Sequence, residues 1–173
     1  MGHLSEREVV ARAEILETLV AYCQAQDQQH WDLYDAVFAP EATIALHGMP
    51  LPPMCADAFK AFLVDFNRTR ISGQHLLGNV LYRIAGDTAR TLSEVIYLTL
   101  HPTDEPGVVK RIRGNALYVD DLVRGEDGWR IRKRVIAQKN VETDQAHYDD
   151  ALLAGIRAAA ARDWSADLDG DLA

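Results

Sequence analysis

The sequence predicts an α+β domain, and three observations predict it. Apolar residues recur mainly at steps of three and four in the front part of the chain, then alternate from His75 onward. The turn residues Gly86-Asp87 and Gly125-Glu-Asp-Gly128 divide the alternating part into an antiparallel meander. A length of 173 residues suits one domain with a core of its own. Helices first and a meander afterwards require the front-half helices to cover one sheet face.

Each element has its own signal. Ser5 precedes Glu8 at capping-box spacing, so the first helix runs from about residue 6 to 28. Val9, Ala13, Leu16, Val20 and Cys23 form one stripe of that helix, and the next member of the series is Asp27. Trp31, Tyr34 and Phe38 predict a second short helix over 30–38, stopped by Pro40. Thr43 to His47 reads as a short strand, closed by Gly48 and the prolines at 50, 52 and 53. Phe59, Phe62, Leu63 and Phe66 put a third helix over 55–66.

The meander then follows as strands over 75–84, 88–101, 108–123 and 129–136, with a bend or bulge near Gly114. Residues after about 142 read as a last helix, whose Ala146, Leu152, Leu153 and Ile156 pack on the domain or on a second subunit. Residues 5–142 are thus expected to be the domain, and 143–173 a helical appendage with an acidic, mobile tail over 163–173.

Composition excludes several function classes. A net charge of −8 disfavours nucleic acid, whose phosphates attract basic surfaces. The basic run from Arg130 to Arg134 is a strand with Arg130, Arg132 and Arg134 on one face, a solvated or helix-packed sheet surface. Cys23 and Cys55 form neither a disulfide framework nor a metal pair, and His30 and His47 lack ligand spacing. No metal is expected. Gly73 and Gly78 precede no helix and make no nucleotide loop, so no cofactor is expected either. Neither a secretory signal nor the ~20 apolar residues of a membrane span is present, and a cytoplasmic location is expected.

The chemistry centres on Asp27. A carboxylate on an apolar stripe sits at a frayed helix end, is paired, or faces a pocket, because burying it alone is costly. Its most attractive partner is His75, at the start of a strand in Gly73-Gln-His-Leu-Leu-Gly-Asn79. A carboxylate beside an imidazole fixes its tautomer and stabilises its protonated form, which makes a general base or acid. Read singly, each residue is as well explained by a structural role.

Hairpin pairing with residue numbers summing to 173–176 brings His101 close to His75 as a second acid–base group, or leaves it at the rim beside Pro102. Tyr22 and Tyr82 either donate to an oxyanion or satisfy a backbone carbonyl. Arg124 either anchors an anionic or carbonyl group or pairs with Asp120 or Glu126. Asn79 bridges backbone or substrate. Leu19, Phe38, Phe59 and Leu77 are expected in an apolar pocket wall.

Five segments carry a family resemblance: Ala21-Tyr-Cys-Gln-Ala-Gln-Asp27, Trp31-Asp-Leu-Tyr-Asp-Ala-Val-Phe-Ala-Pro40, Gln74-His-Leu-Leu-Gly-Asn79, Gly86-Asp-Thr-Ala89 and Asp127-Gly-Trp-Arg-Ile131. Together they resemble the SnoaL-like branch of the NTF2-like superfamily, over residues 6 to about 140. The resemblance implies a cone-shaped α+β barrel, a curved and mostly antiparallel sheet wrapped around three helices over a deep pocket. Dehydratases and a dehydrochlorinase of that superfamily use a His–Asp pair, whose members fall on His75 and Asp27. A second catalytic histidine falls near His101, and a pocket arginine near Arg124. The tyrosine that precedes the aspartate in one dehydratase is Gln26 here, with Tyr22 one turn earlier.

The expected function is a cofactor-independent elimination on a small hydrophobic, cyclic or polyketide-like substrate. The alternatives are an isomerase or cyclase sharing the same proton abstraction, and a non-catalytic binding or scaffold domain. Strands with apolar positions on both faces, such as Val109, Leu117, Val119, Val123 and Ile131, suggest a homodimer covering the sheet face that the helices leave open.

Overall fold

The computed structural model describes residues 3–162. Three helices come first, α1 (Glu6–Asp27), α2 (Trp31–Val37) and α3 (Ala56–Asn67). Strands β1 (Phe38–His47) and β2 (Met54–Cys55) lie between α2 and α3. The meander follows as β3 (Ser72–Ala85), β4 (Thr88–Pro102), β5 (Val108–Gly125) and β6 (Gly128–His147), and α4 (Asp150–Ala161) closes the described chain. The sheet order is β2-β1-β6-β5-β4-β3, with β1 parallel to β6 and every other pair antiparallel. The architecture is the predicted α+β cone, built on an open mixed sheet rather than a closed barrel.

The predicted capping box starts α1: Ser5 Oγ accepts from the Glu8 N–H at 3.3 Å, and the Ser5 N–H donates to Glu8 Oε2 at 2.8 Å. The buried face of α1 differs from the predicted stripe. Ala11, Ile15, Leu19, Tyr22 and Cys23 are buried, whereas Val9, Leu16 and Val20 are exposed. The helix carries apolar residues on two faces, and the sheet takes the one with Ile15, Leu19 and the large Tyr22. Asp27 still ends a buried row, because 11, 15, 19, 23 and 27 are spaced by four.

Bulges decide which strand residues face inward. On β3 the register shifts between Gly78 and Leu81, and Asn79 takes φ +46°. Inward positions therefore pass from Leu77 to Val80 and Tyr82, and Leu81 turns out to solvent at 64 % exposure. On β6 an extra residue at Arg132 does the same, since Asp121 opposes Lys133 while Leu122 opposes Ile131. Ile131 and Arg134 both face inward as a result, and the predicted three-arginine face does not exist.

Strand β6 runs on to His147, so the last helix starts at Asp150 rather than near 143. Residues 138–147 pair with the first half of β5, and that ladder overrides the local helical pattern. Helix α4 sets Leu153 and Ile156 against Ile71, Leu100 and Val109, while Leu152 stays exposed. The tail over 163–173 lies outside the described residues.

Candidate active site

Asp27 and His75 meet. Helix α1 ends on Asp27, beside the start of β3, and both carboxylate oxygens are used. Oδ1 lies 2.5 Å from His75 Nδ1, and Oδ2 accepts the His75 backbone N–H at 2.6 Å. Both side chains are nine-tenths buried. A carboxylate only accepts, so Nδ1 carries the proton and Nε2 is left as the basic ring nitrogen.

The imidazole lines a cavity of about 330 Å³, within the range of small-ligand sites. Asp27 stands behind it. Phe59, Phe62, Leu63 and Phe66 of α3 form one wall, with Leu46, Ile112 and Ile136 from the sheet. Besides His75, polar groups are few: Gln26, Asn67, Arg70, Thr99, Gln138 and Thr143, and the phenols of Tyr22, Tyr97 and Tyr118. Of the expected wall, only Phe59 is present. Leu19 and Phe38 are buried in the core beneath, and Leu77 packs against that core.

Tyr97 faces His75 directly across the β3–β4 ladder, with ring centres 5.7 Å apart. Its hydroxyl donates to Gln138 Oε1 at 3.2 Å. Burial raises the Tyr97 phenol above its ordinary pKa, and the bond to Gln138 partly opposes this. Opposite Tyr97 on β5 is Gly114, where a Cβ would come within 2.7 Å of the phenol oxygen and 2.3 Å of the Asn140 carbonyl oxygen. The glycine makes room for the ring.

Tyr22 reaches the cavity from α1, buried against Tyr118, Tyr34 and Phe38. Burial drives its phenol, and that of Tyr118, well above the ordinary tyrosine value, against the opposing charge of Arg134. Burial likewise pushes the neighbouring Cys23 thiol up to about 12, so it stays protonated and unreactive.

Besides Asp27 behind the imidazole, four expected site residues lie outside the cavity lining. The hairpin is tighter than expected: residue numbers sum to 172 or 173, so His75 opposes Tyr97, and His101 sits four residues further along β4, opposite Lys110. His101 Nε2 lies 3.0 Å from Thr99 Oγ1, and its ring meets the Phe66 edge. Asn79 is exposed on the β3 bulge. Tyr82 lies under the Arg12 guanidinium, 5.2 Å from ring centre to Cζ. Arg124 pairs with Glu14 at 3.1 Å rather than with Asp120 or Glu126. Asp120 is instead taken by Arg134.

Arg70 is the cationic residue that sequence reasoning missed. Its Nη2 donates to the carbonyls of Gln26 and Asp27, at 2.5 and 2.8 Å, and Nη1 donates to Asn67 Oδ1 at 3.1 Å. It lies in a connection between elements, where no periodicity marks a residue. Among the described residues no cluster of three His, Cys, Asp or Glu side chains is arranged to hold a metal. No described helix is long and apolar enough to cross a membrane.

An α+β cone whose one-sided sheet holds a carboxylate–imidazole pair against a small apolar cavity defines a class of small-molecule-binding or catalytic domain. The SnoaL-like domain profile matches residues 7–135, and the chain belongs to that family. It is 36 % identical over 133 residues to the uncharacterized protein Rv2910c of Mycobacterium tuberculosis, covering 76 % of this chain and 88 % of that one.

Among solved structures it resembles the Kfla4162 protein of Kribbella flavida, with TM-score 0.69, 24 % identity, and coverage of 84 % of this chain and 97 % of that one. A candidate scytalone dehydratase of Novosphingobium aromaticivorans superposes with TM-score 0.68 at 17 % identity, covering 84 % and 93 %. A type 2 hexachlorocyclohexane dehydrochlorinase, LinA, does so with TM-score 0.69 at 12 % identity, covering 82 % and 93 %. At these identities the likeness is one of fold.

Proposed function

We propose that the protein is a cofactor-independent lyase that eliminates water, or a comparable leaving group, from a small hydrophobic ring-bearing substrate. One observation carries this reading: Asp27 spends both oxygens on His75, which leaves Nε2 as the base of a largely apolar cavity. The dehydrochlorinase and the candidate dehydratase of the same fold are both named for eliminations.

In the proposed reaction Nε2 removes a proton from carbon next to an activating carbonyl. The C–H electrons form the new double bond, and the leaving oxygen departs with its bonding pair. The imidazolium, held by Asp27, returns a proton to it, releasing water, either directly or through a cavity phenol such as Tyr97 that takes the imidazolium proton in exchange for its own. His101 is too far along β4 to share the role first expected of it. General acid–base catalysis of this kind contributes ~10²–10⁴-fold.

The test is turnover of a panel of aromatic and polyketide-type hydroxycarbonyl compounds, followed by mass spectrometry. Loss of one water marks elimination, and an unchanged mass marks the isomerase or cyclase that would share the same base. His75→Ala and Asp27→Ala are each expected to lower turnover ~10²-fold or more. Retention of turnover within a factor of ~2 in both variants removes the scheme and leaves a binding domain.

The reading extends to a homodimer. Leu76 and Ile96, direct neighbours on the outer face of β3 and β4, are 64 % and 60 % exposed, and Leu81 and Leu98 extend the patch. Apolar area of that kind on the outer face, which α4 covers only at its Leu100 and Val109 end, is the surface a second copy would cover.

A further inference from the structure

We infer that Arg70 is a positioning residue, whose guanidinium clamps the last turn of α1 and so fixes the angle at which Asp27 holds His75. The inference rests on the Asp27–His75 pair proposed above as the reacting centre, and names what keeps that pair in place.

Asp27 is an awkward end for a 22-residue helix. A carboxylate at a C-terminus meets the negative end of the helix dipole, and the last turn of α1 contains no basic residue. The turn closes on itself: the N–H groups of Gln29 and His30 bond back to Gln26 and Ala25, with Gln29 at φ +55°. That leaves the Asp27 carbonyl as the open acceptor, and Arg70, from the α3–β3 connection, fills it while sharing the Gln26 carbonyl. The missing cation of the helix end is thus supplied from more than forty residues away.

The clamp is itself held. Asn67 accepts from Nη1 and donates its own amide to the Leu63 carbonyl at 2.8 Å, which ties the guanidinium to α3. Gly73 flanks the other side, where a Cβ would fall 2.8 Å from Arg70 Cζ. Asn67 and Arg70 both border the cavity, yet Asn67 and both terminal nitrogens of Arg70 are bonded to neighbouring protein groups, while Arg70 Nε is buried without a partner. A fork with two fixed directions orients the turn as a single ammonium cannot.

The experiment reads the ring nitrogens of His75 in the full ¹⁵N-labelled chain, by two-bond proton–nitrogen correlation where the ring is neutral, assigned with His75→Gln. The wild-type chain is expected to show the Nδ1–H tautomer. Arg70→Gln, with its fold checked by thermal melting, is expected to lower the ratio of Nδ1–H to Nε2–H several-fold, and Arg70→Lys less. If Arg70→Gln does not fold, Arg70→Lys decides. A folded variant with the wild-type ring spectrum overturns the inference, as does a wild-type chain without the Nδ1–H form. Neither outcome depends on finding a substrate, so failure of the lyase reading is separately visible as absence of turnover.

Discussion

Asp120 of β5 and Arg134 of β6 are register partners whose side chains pair in a fork at 2.7 and 2.8 Å, with neither exposed at all. The guanidinium lies 4.0 Å from the ring centre of Tyr22 and 4.5 Å from that of Tyr118, the two phenols at the base of the cavity. Burial acts to lower the Arg134 pKa, but the Asp120 charge and its hydrogen bonds more than reverse this. The guanidinium therefore keeps its charge, and it supports the cavity floor from beneath.

Arg134→Met should leave a buried carboxylate alone and cost about 3–5 kcal/mol, read as a lower urea midpoint. Adding Asp120→Leu should recover most of that loss, because two apolar side chains can replace a buried ion pair. A single variant as stable as wild type would contradict the burial of the pair.

Acid sensitivity should depend on His101. Burial, with the nearby Arg70 and Lys110 cations, holds its pKa below the ordinary 6.5. Above 6.5 the ring is neutral both folded and unfolded, and it adds no pH dependence. As pH falls below that value the unfolded chain takes a proton that the folded chain resists, so stability drops. His101→Gln should flatten the stability profile in this window, measured by denaturant melts across it. An unchanged slope would remove His101 as the cause.

Gly114→Ala should be poorly tolerated despite the small side chain. The new Cβ meets a backbone carbonyl in the adjacent strand as well as the Tyr97 hydroxyl, and a carbonyl in a ladder cannot move aside. A cost of about 1–3 kcal/mol is expected, with a changed near-ultraviolet tyrosine signal. A native melt and spectrum would show that the two strands separate freely at this point.

The assembly prediction is the simplest to check. Light scattering should return twice the 19.3 kDa chain mass, and Leu76→Lys combined with Ile96→Lys should return the single chain. A wild-type monomer would refute the dimer, and a dimer unaffected by the lysines would move the interface elsewhere.

The helix and strand order was legible because periodicity and turn residues report local geometry. The Asp27–His75 pair was legible because a carboxylate on a buried helical row demands a partner. Facing was less legible. Two apolar stripes on α1 fit a helix equally well, and only Ile15, Leu19 and Tyr22 packing against the sheet separates them. Bulges at Asn79 and Arg132 leave no periodic mark, so strict alternation neither turns Leu81 outward nor separates the buried Arg134 from Arg130 and Arg132. His101 was misplaced through a hairpin register only a few residues too loose. Arg70 stands in a connection with no repeat to break, so nothing in the local pattern marks it as the cation of the α1 end.

The extra residue at Arg132 bears on how such a cavity diversifies. Replacing side chains one at a time tunes what β6 offers a ligand, but cannot exchange its two faces. Ironing the bulge out at unchanged length would do so in one event, carrying Lys133, Val135 and Ala137 inward and expelling Arg134 and Ile136, whereas loss of the Arg132 codon would leave both faces as they are. Lineages that keep or lose this bulge at equal chain length would inherit the same scaffold with unrelated ligand preferences.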